Sequence, residues 1–388
     1  MSLNRREFIK VMAVAGMSPW TPRLGWAQEP TARQNRALVC LFLRGGADAV
    51  NLLAPYADPL YRQLRPTLAL PEPGVAGGVL PLDSQLGLPP TLEPLLPLYR
   101  SGDLALVSLC GLGNDSRSHF DRQRWMEAGG DGIPVPGDGW LARALAQTDL
   151  PTPVAAVGFG GRLPFALSGA SAVAIRDLDR FGLPAKHMSA LTQLYEGGNL
   201  VSQAGQQTLA ALNFIGNASL PPQGSDYPDS SLGRDLAQTA RLIKSGIGLR
   251  AFCLDSGGWD THANQAATLA ARLDDLARSL AAFHADLGAQ MTNTCVVVMS
   301  EFGRRVAENA SGGTDHGHGG VMLVLGGGVQ GGKIYGDRPD LSDLYGPGDL
   351  PVTTDYRSVL AEAVTVTLGV SDLKTVFPGF QPQVLGLF

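Results

Sequence analysis

The sequence predicts an α/β protein built on a largely parallel central sheet. Five largely apolar runs have the composition of strands that are buried on both faces. These runs cover residues 37–43, 104–110, 250–254, 295–299 and 321–325. One long helix is predicted where leucines and a phenylalanine recur at spacings of three and four, from Leu269 to Leu287. Polar residues follow several strands directly, which is where ligands bind in open α/β sheets.

Length and charge narrow the class of protein. The chain has 388 residues, of which 44% are hydrophobic, enough for one large α/β domain or two smaller ones. The formal net charge is -5, and no basic stripe is present to offset the repulsion of nucleic-acid phosphates. We therefore expect no nucleic-acid partner.

Residues 1–27 are predicted to be a signal peptide. Residues 4–10 read Asn-Arg-Arg-Glu-Phe-Ile-Lys, which matches the twin-arginine export pattern, and small residues before position 28 suit cleavage after Ala27. The mature protein is then periplasmic or otherwise exported, with the twin-arginine machinery as a partner. No later apolar run reaches the roughly 18 residues of a membrane span, so no stable span is expected.

Residues 35–388 are predicted to form the α/β domain. Between residues 129 and 231 the pattern loosens into turns rich in Gly and Pro, and we interpret this stretch as an insertion or cap that shapes access to a site. Four cysteines lie in apolar runs without CxxC spacing. Buried thiols are expected, although an exported protein could also form a disulfide.

After the first predicted strand, Gly45 and Gly46 permit a sharp turn that places Asp48 just past the end of the strand. Asp48 is either a metal ligand or the N-cap of a helix.

After the second strand, Ser118 precedes a predicted helix over 119–128. A hydroxyl in this position can present a nucleophile, with Ser116 as a reserve, or it can merely cap the helix.

The third strand leads to Asp260 and His262, which would project to the same side of an extended chain and could hold one ion. The fourth strand leads directly to Glu301 and Arg304, and then over a Gly-rich loop to an Asp-His-Gly-His segment at 315–318. Either Arg304 or the neighbouring Arg305 could bind an anionic substrate through its guanidinium fork.

Parallel strands bring such groups together at one edge of a sheet. Mixed carboxylate and imidazole ligands suit Zn or Mn, and we expect one or two such ions. Ions of this kind polarise phosphoryl or sulfuryl oxygens and lower the pKa of a bound water to about 7. A small anionic ester is therefore the expected substrate.

Five segments in this order resemble the exported family known as DUF1501, which is related to the sulfatase and alkaline phosphatase superfamily. They are residues 44–48, 118–120, 258–262, 300–304 and 315–318. The resemblance implies an alkaline-phosphatase-like three-layer α/β/α sandwich. It also implies metal ligands at Asp48, Asp260, His262, Asp315, His316 and His318. On position, Ser118, His119 and Arg304 are the predicted catalytic residues.

The chain also departs from the superfamily pattern, in which a strand runs directly into an Asp-His pair. Here the strand runs into Glu301, and the Asp-His pair follows more than a dozen residues later. Either Glu301 replaces the expected aspartate and the later segment supplies the histidine, or the loop holds a single ion. The Cys/Ser-x-Pro-x-Arg signature of sulfatases is missing, which argues against chemistry through formylglycine.

Two functions follow from these patterns. The first is a metal-dependent hydrolase of phosphate or related esters, such as sulfates and phosphonates. The second is a non-catalytic binding or assembly protein that retains the fold and one ion. A redox role is suggested only by the export route, which often carries cofactor proteins.

Overall fold

A computed structural model describes residues 36–132, 137–149, 152–182 and 185–388. The predicted signal peptide at 1–27 lies outside these ranges. Eleven strands are described: β1 Ala37–Leu43, β2 Leu80–Pro81, β3 Gly87–Leu88, β4 Leu104–Gly111, β5 Ala156–Phe159, β6 Ala172–Ile175, β7 Ala251–Ser256, β8 Thr294–Ser300, β9 Gly320–Gly326, β10 Ile334–Tyr335 and β11 Thr354–Asp355.

The described helices vary from one turn to six turns. They are α1 Ala49–Leu52, α2 Pro59–Leu64, α3 Leu96–Ser101, α4 His119–Ala128, α5 Trp140–Leu145, α6 Ala185–Leu194, α7 Leu200–Gly216, α8 Ser231–Lys244, α9 Gln265–Leu287, α10 Tyr356–Leu368 and α11 Leu373–Val376. Short 3-10 turns cover Pro90–Leu95, Phe165–Leu167, Leu178–Arg180 and Gly288–Asn293.

Nine strands form one sheet in the order β10-β4-β9-β8-β1-β7-β5-β6, with β11 also paired to β4. Every described pairing in this sheet is parallel except those of β9, which runs antiparallel to both β4 and β8. The prediction of an α/β fold with a largely parallel central sheet is confirmed. Strands β2 and β3 form a separate antiparallel pair.

The sheet separates two cores, because successive side chains of a strand point to opposite faces. In β1, Val39 and Leu41 face a core that also contains the apolar side chains of α8 and α9. Leu38 and Cys40 face the other core, which contains those of α5 and α10. Helices therefore cover both faces of the sheet, as expected for a three-layer sandwich.

Helix α9 shows how the sequence pattern produces this packing. Leu269, Leu273, Leu276, Leu280 and Phe283 are all buried on one stripe, at the predicted spacing of three and four. Burying one such side chain fully stabilises the fold by about 1.5–3 kcal/mol. The four cysteines are free and buried in the structure, in agreement with the prediction.

The stretch predicted as an insertion, 129–231, is in part an integral piece of the sandwich. Strands β5 and β6 continue the main sheet beyond β7, and Trp140 at the start of α5 is fully buried in the second core. A boundary at residue 129 therefore does not separate a cap from the sheet. The short lengths of β5 and β6, four residues each, explain why their pattern is weak.

The direction of β9 decides where the predicted site residues meet. Strands β1, β4, β7 and β8 are mutually parallel and end at the same edge of the sheet. Because β9 is antiparallel, the segment 315–318 that precedes it enters at this same edge. Among the described residues, no helix has the length and hydropathy needed to cross a membrane.

Candidate metal centre

His119 stands at the first position of α4 and is held by a buried carboxylate. Its Nδ1 lies 2.7 Å from Oε1 of Glu301, which is fully buried at the end of β8. The Nδ1–H donates to the carboxylate, so Nε2 is the ring nitrogen that can bind an ion when the imidazole is neutral. This Nε2 atom is buried, makes no hydrogen bond within the described chain, and lies 3.4 Å from Oδ2 of Asp260.

His316 is fixed in the same way on the opposite side. Its Nδ1 lies 2.9 Å from the backbone carbonyl oxygen of Arg117, to which it donates. Its Nε2 lies 3.1 Å from Oδ1 of Asp260. Burial, together with the charge of the nearby His119, lowers the pKa of His316 and so favours the neutral imidazole.

His262 repeats the arrangement a third time. Its Nδ1 lies 3.0 Å from Oδ1 of Asp315, and its Nε2 lies 3.1 Å from Oδ1 of Asp260. The Nε2 atoms of His262 and His316 are only 2.9 Å apart. Two imidazole lone pairs at this distance repel each other unless a proton or a cation lies between them.

These groups could together serve as the donor set of a metal site. The ligand atoms of His119, Asp260 and His316 lie within 4.8 Å of one another, and His262 joins them through the contacts above. Three imidazole nitrogens and one carboxylate oxygen are ligands that Zn²⁺ accepts. The other ring nitrogen of each histidine donates to an oxygen, which is the usual outer support of a metal-bound imidazole. The residues present therefore fit a divalent ion.

The carboxylates of the centre are kept ionised by their partners. Burial by itself would raise the pKa of Glu301, but hydrogen bonds from His119, Gln123 and the Gly45 amide outweigh it and lower that pKa. The hydrogen bond to Glu301 in turn raises the pKa of His119. A metal at Nε2 would compete with the proton that this shift favours.

Asp260 is positioned by Arg304, which is fully buried. Partial burial by itself would raise the pKa of Asp260. The Arg304 guanidinium, which contacts an Asp260 oxygen, outweighs that effect, so the pKa of Asp260 is lowered. The remaining Arg304 donors go to backbone carbonyl oxygens of Gly45, Gly46, Trp259 and Thr314. In this structure the Arg304 donors join three loops of the centre, which favours a supporting role over the predicted contact with substrate.

The turn after β1 must pass very close to the loop that carries Asp260. Gly45 has a φ of +126°, and a Cβ added there would lie 2.4 Å from the Asp260 backbone nitrogen. Only glycine fits this approach without moving the ligand loop.

Asp48 does not join the cluster. Both of its oxygens accept from the buried guanidinium of Arg65, with Nη2 to Oδ1 at 2.9 Å, and Gln265 donates to Oδ2 as well. Asp48 also caps α1 by accepting from the amide of Val50. The structure thus supports the capping interpretation and argues against Asp48 as a metal ligand, because its charge is already neutralised.

Gln265 connects this ion pair to the ligand loops. Its Oε1 accepts from the hydroxyls of Thr261 and Thr314, at 2.9 and 2.6 Å. Each threonine adjoins a site residue in the sequence. The Asp48–Arg65 pair therefore supports the centre from behind.

His318 also lies apart from the cluster. Its ring is buried and stacks on Tyr345, with ring centroids 4.9 Å apart. Burial and the nearby charge of Arg122 lower the pKa of His318 to about 4. The structure does not support His318 as a metal ligand, because its ring is buried against Tyr345, apart from the ligand atoms of His119, Asp260 and His316.

Glu301 and Asp315, two further predicted ligands, each contact a histidine at the ring nitrogen that faces away from the cluster. Each carboxylate holds an Nδ1 atom, and Glu301 also accepts from Gln123 and Gly45. In this structure they orient ligands, and His119, predicted as a catalytic residue, is the one that presents a free nitrogen.

Ser118 is the N-cap of α4. Its Oγ accepts from the Asp121 amide at 3.3 Å, and no basic side chain of the described residues contacts it. Ser116 Oγ in turn accepts from the Ser118 amide at 3.2 Å. The geometry supports the capping alternative for Ser118, and it places Ser116 in the turn before the helix.

Sequence reasoning missed several residues that support the centre: Arg65, Gln123, Gln265, the carbonyl of Arg117, and Asn309, which donates to the carbonyl of His262 and to Asp315. The contacts of Arg65, Gln123 and Gln265 join residues that are 17 to 217 positions apart in the sequence. An Arg, Gln or Asn in a helix or loop carries no local pattern that signals such a partner.

Comparison with protein families identifies the chain. The family described as a protein of unknown function, DUF1501, matches residues 117–362, which is more than half of the sequence. The chain belongs to the DUF1501 family. The predicted family is thus confirmed, and the matched segment contains His119, Asp260, His262 and His316. No curated protein matches the sequence.

Solved structures similar to this DUF1501 chain include the following three. The C-terminal periplasmic domain of EcEptC from Escherichia coli, in complex with Zn, is 9% identical, with 90% of this chain and 88% of that chain covered and a TM-score of 0.39. A 2-O GAG sulfatase is 10% identical, with coverages of 90% and 75% and a TM-score of 0.36. An alkaline phosphatase from the Antarctic bacterium TAB5 is 13% identical, with coverages of 74% and 90% and a TM-score of 0.31. Likeness at this level carries no conclusion about the reaction.

Proposed function

We propose that this chain is an exported metal-dependent hydrolase of phosphate or related esters, such as sulfates and phosphonates. The observation that carries the proposal is the convergence of His119, Asp260, His262 and His316, whose free ligand atoms face one another. The twin-arginine motif at residues 4–10 supports export to the periplasm.

The donor set supports Zn or Mn as the ion, in one or two copies. When bound, such an ion polarises an ester oxygen and activates water as the nucleophile. The chain's own contribution is to hold the ligands in place before the ion binds. Glu301, Asp315 and the Arg117 carbonyl each fix one imidazole, and Arg304 fixes Asp260.

The centre is also accessible to a substrate. The side chains of His262 and Asp260 are 44% and 45% exposed, whereas Glu301 and Arg304 behind them are 0% exposed. A small anionic ester can therefore reach the ligand atoms from the solvent side without disturbing the supporting shell.

Metal analysis and a substrate panel test the proposal. Untagged mature protein is assayed for bound metal and for turnover of aryl phosphates, phosphodiesters, phosphonates and aryl sulfates. Bound metal and turnover of at least one ester are expected in wild type and in His187→Ala, an exposed histidine on α6. Both should be lost in His316→Ala. A wild-type protein without bound metal and without turnover would refute the proposal.

A non-catalytic binding or assembly protein with one structural ion is the second candidate. It is favoured by Ser118, which caps a helix with no base beside it, and by Arg304, whose donors are used by carbonyls. Removal of the ion separates the two functions. If removal of the ion abolishes turnover while the circular dichroism spectrum stays native, the protein is an enzyme. If the protein has no measurable turnover to begin with and unfolds when the ion is removed, the ion is structural.

A further inference from the structure

A cleft of about 740 Å³ opens beside the candidate metal centre. It is bounded by α4 and by the segment that follows β5, and its walls include Phe120, Gln123, Arg124, Arg162 and Phe165. Apart from Gln123, which donates to Glu301, none of these side chains is used by the proposed chemistry at the ion.

The cleft shares a wall with the metal centre. Phe120 follows His119 directly on α4. Gln123, one turn further on, donates to Oε1 of Glu301 at 2.7 Å, the same oxygen that accepts from His119. A molecule bound at the centre could therefore extend along α4 into the cleft.

The charges of the cleft leave two cations without acidic partners. Arg44 at its floor contacts two carboxylates, those of Glu127 and Asp255, the latter at 2.8 Å, so these three groups together carry one negative charge. Arg124 and Arg162 are exposed, and neither forms an ion pair within the part of the chain that the structure describes. Two guanidinium groups thus point positive charge at solvent in a protein whose net charge is -5.

Flat apolar surface lies beside these cations. The side chain of Phe120 is 87% exposed, and the Arg124 guanidinium carbon lies 3.0 Å from the ring centroid of Phe165. Stacking on an aromatic face holds a guanidinium in a fixed plane, with its edge free to donate hydrogen bonds.

We propose that this cleft binds a second anionic group of the substrate, carried on a ring framework whose ester lies at the metal centre. The link to a substrate rests on the proposed hydrolase function. Guanidinium groups bind phosphate, sulfate or carboxylate through paired hydrogen bonds, and Phe120 offers a face on which a ring can stack. The preferred substrates are then ring compounds that carry at least two anionic groups.

Binding of a non-hydrolysable probe tests the site directly. Naphthalene-1,5-disulfonate is titrated calorimetrically into the full mature protein, into the Arg124→Gln/Arg162→Gln double variant, and into Arg278→Gln, an exposed arginine on α9. Saturable binding is expected in wild type and in Arg278→Gln, with at least about tenfold weaker binding in the double variant. Equal affinity in the double variant, or no saturable binding in wild type, would overturn the site.

The same titration after treatment with a chelator separates the two proposals. Arginine-dependent binding that persists without metal supports the site even if no ester is turned over, in which case only the hydrolase function fails. If esters are turned over, the double variant should raise KM for aryl bisphosphates and leave KM for aryl monophosphates unchanged. An equal change of KM for both classes would overturn the assignment of the cleft to a second anion.

Discussion

Three histidines of this chain share one pattern of contacts, in which Nδ1 meets an oxygen and Nε2 points to Asp260. The oxygens come from Glu301, Asp315 and a backbone carbonyl, so the ring orientations do not depend on the ion. Groups that face the ion site and groups that hold them are therefore distinct. This distinction predicts different effects for substitutions on either side of the rings.

Glu301→Gln should weaken metal binding without unfolding the protein. The amide can keep an oxygen at the position of Oε1 and donate to Ser300 in place of Oε2, but it removes the charge that makes His119 a better ligand. Loss of such an outer partner typically costs 10–100-fold in metal affinity or activity. Competition with a chromophoric chelator measures the affinity, with Glu308→Gln as a control. Equal affinities in Glu301→Gln and wild type would contradict the assigned role.

Ser118→Ala tests whether this hydroxyl is a cap or a nucleophile. Loss of an N-cap should lower the free energy of unfolding by about 1 kcal/mol, and Ser118→Gly should cost only a few tenths. Turnover per metal-loaded chain should stay within about twofold of wild type. Unfolding in urea and steady-state kinetics measure the two quantities. A loss of kcat by orders of magnitude at unchanged stability would instead establish a nucleophile.

Among the elements, the loops that carry the ligands are held by buried polar contacts rather than by apolar packing. Arg304 joins the turn after β1 to the loops after β7 and β8, and Gln265 at the start of α9 joins two of these loops to the Asp48–Arg65 pair. Buried donors left without partners are costly, so these contacts specify one arrangement of the loops.

Asp48→Ala should destabilise the whole domain. Arg65 would keep a fully buried charge without a counter-ion, which typically costs 3–5 kcal/mol. The matched control is Asp274→Ala, whose half-exposed partner Arg278 on α9 predicts a change of about 0.5 kcal/mol or less. Urea unfolding followed by tryptophan fluorescence measures both. A change below 1 kcal/mol for Asp48→Ala would contradict the buried ion pair.

The sequence is informative about strand ends and uninformative about which polar side chain already has a partner. Asp48 and Asp260 both follow a buried strand and a glycine turn. Only the fold shows that Asp48 is already paired with Arg65. For the same reason, the sequence does not show that His119 is a candidate ligand and Glu301 its support, since their contact joins residues 182 positions apart. Apolar runs, by contrast, determine burial locally, and so the sheet and the stripe on α9 were predictable.

For the whole molecule, the sheet brings distant segments together at one edge. The ligand groups come from the start of α4, the loop after β7 and the segment before β9, so the complete donor set exists only in the folded chain. An ion that binds this state and not the unfolded chain adds stability, about 2.7 kcal/mol when its concentration is 100 times the Kd. Chelation should accordingly lower the Tm of wild type and leave that of His316→Ala unchanged, as measured by calorimetry.

The metal content of the folded mature protein tests the account most directly. Untagged wild type, His316→Ala and His318→Ala are incubated with Zn or Mn, freed of loose ions by gel filtration, and analysed by mass spectrometry of the metal. The account predicts at least one tightly bound ion per chain in wild type and in His318→Ala, and its loss in His316→Ala. A folded wild-type protein that retains no ion, or a His316→Ala variant that retains it, would contradict the account.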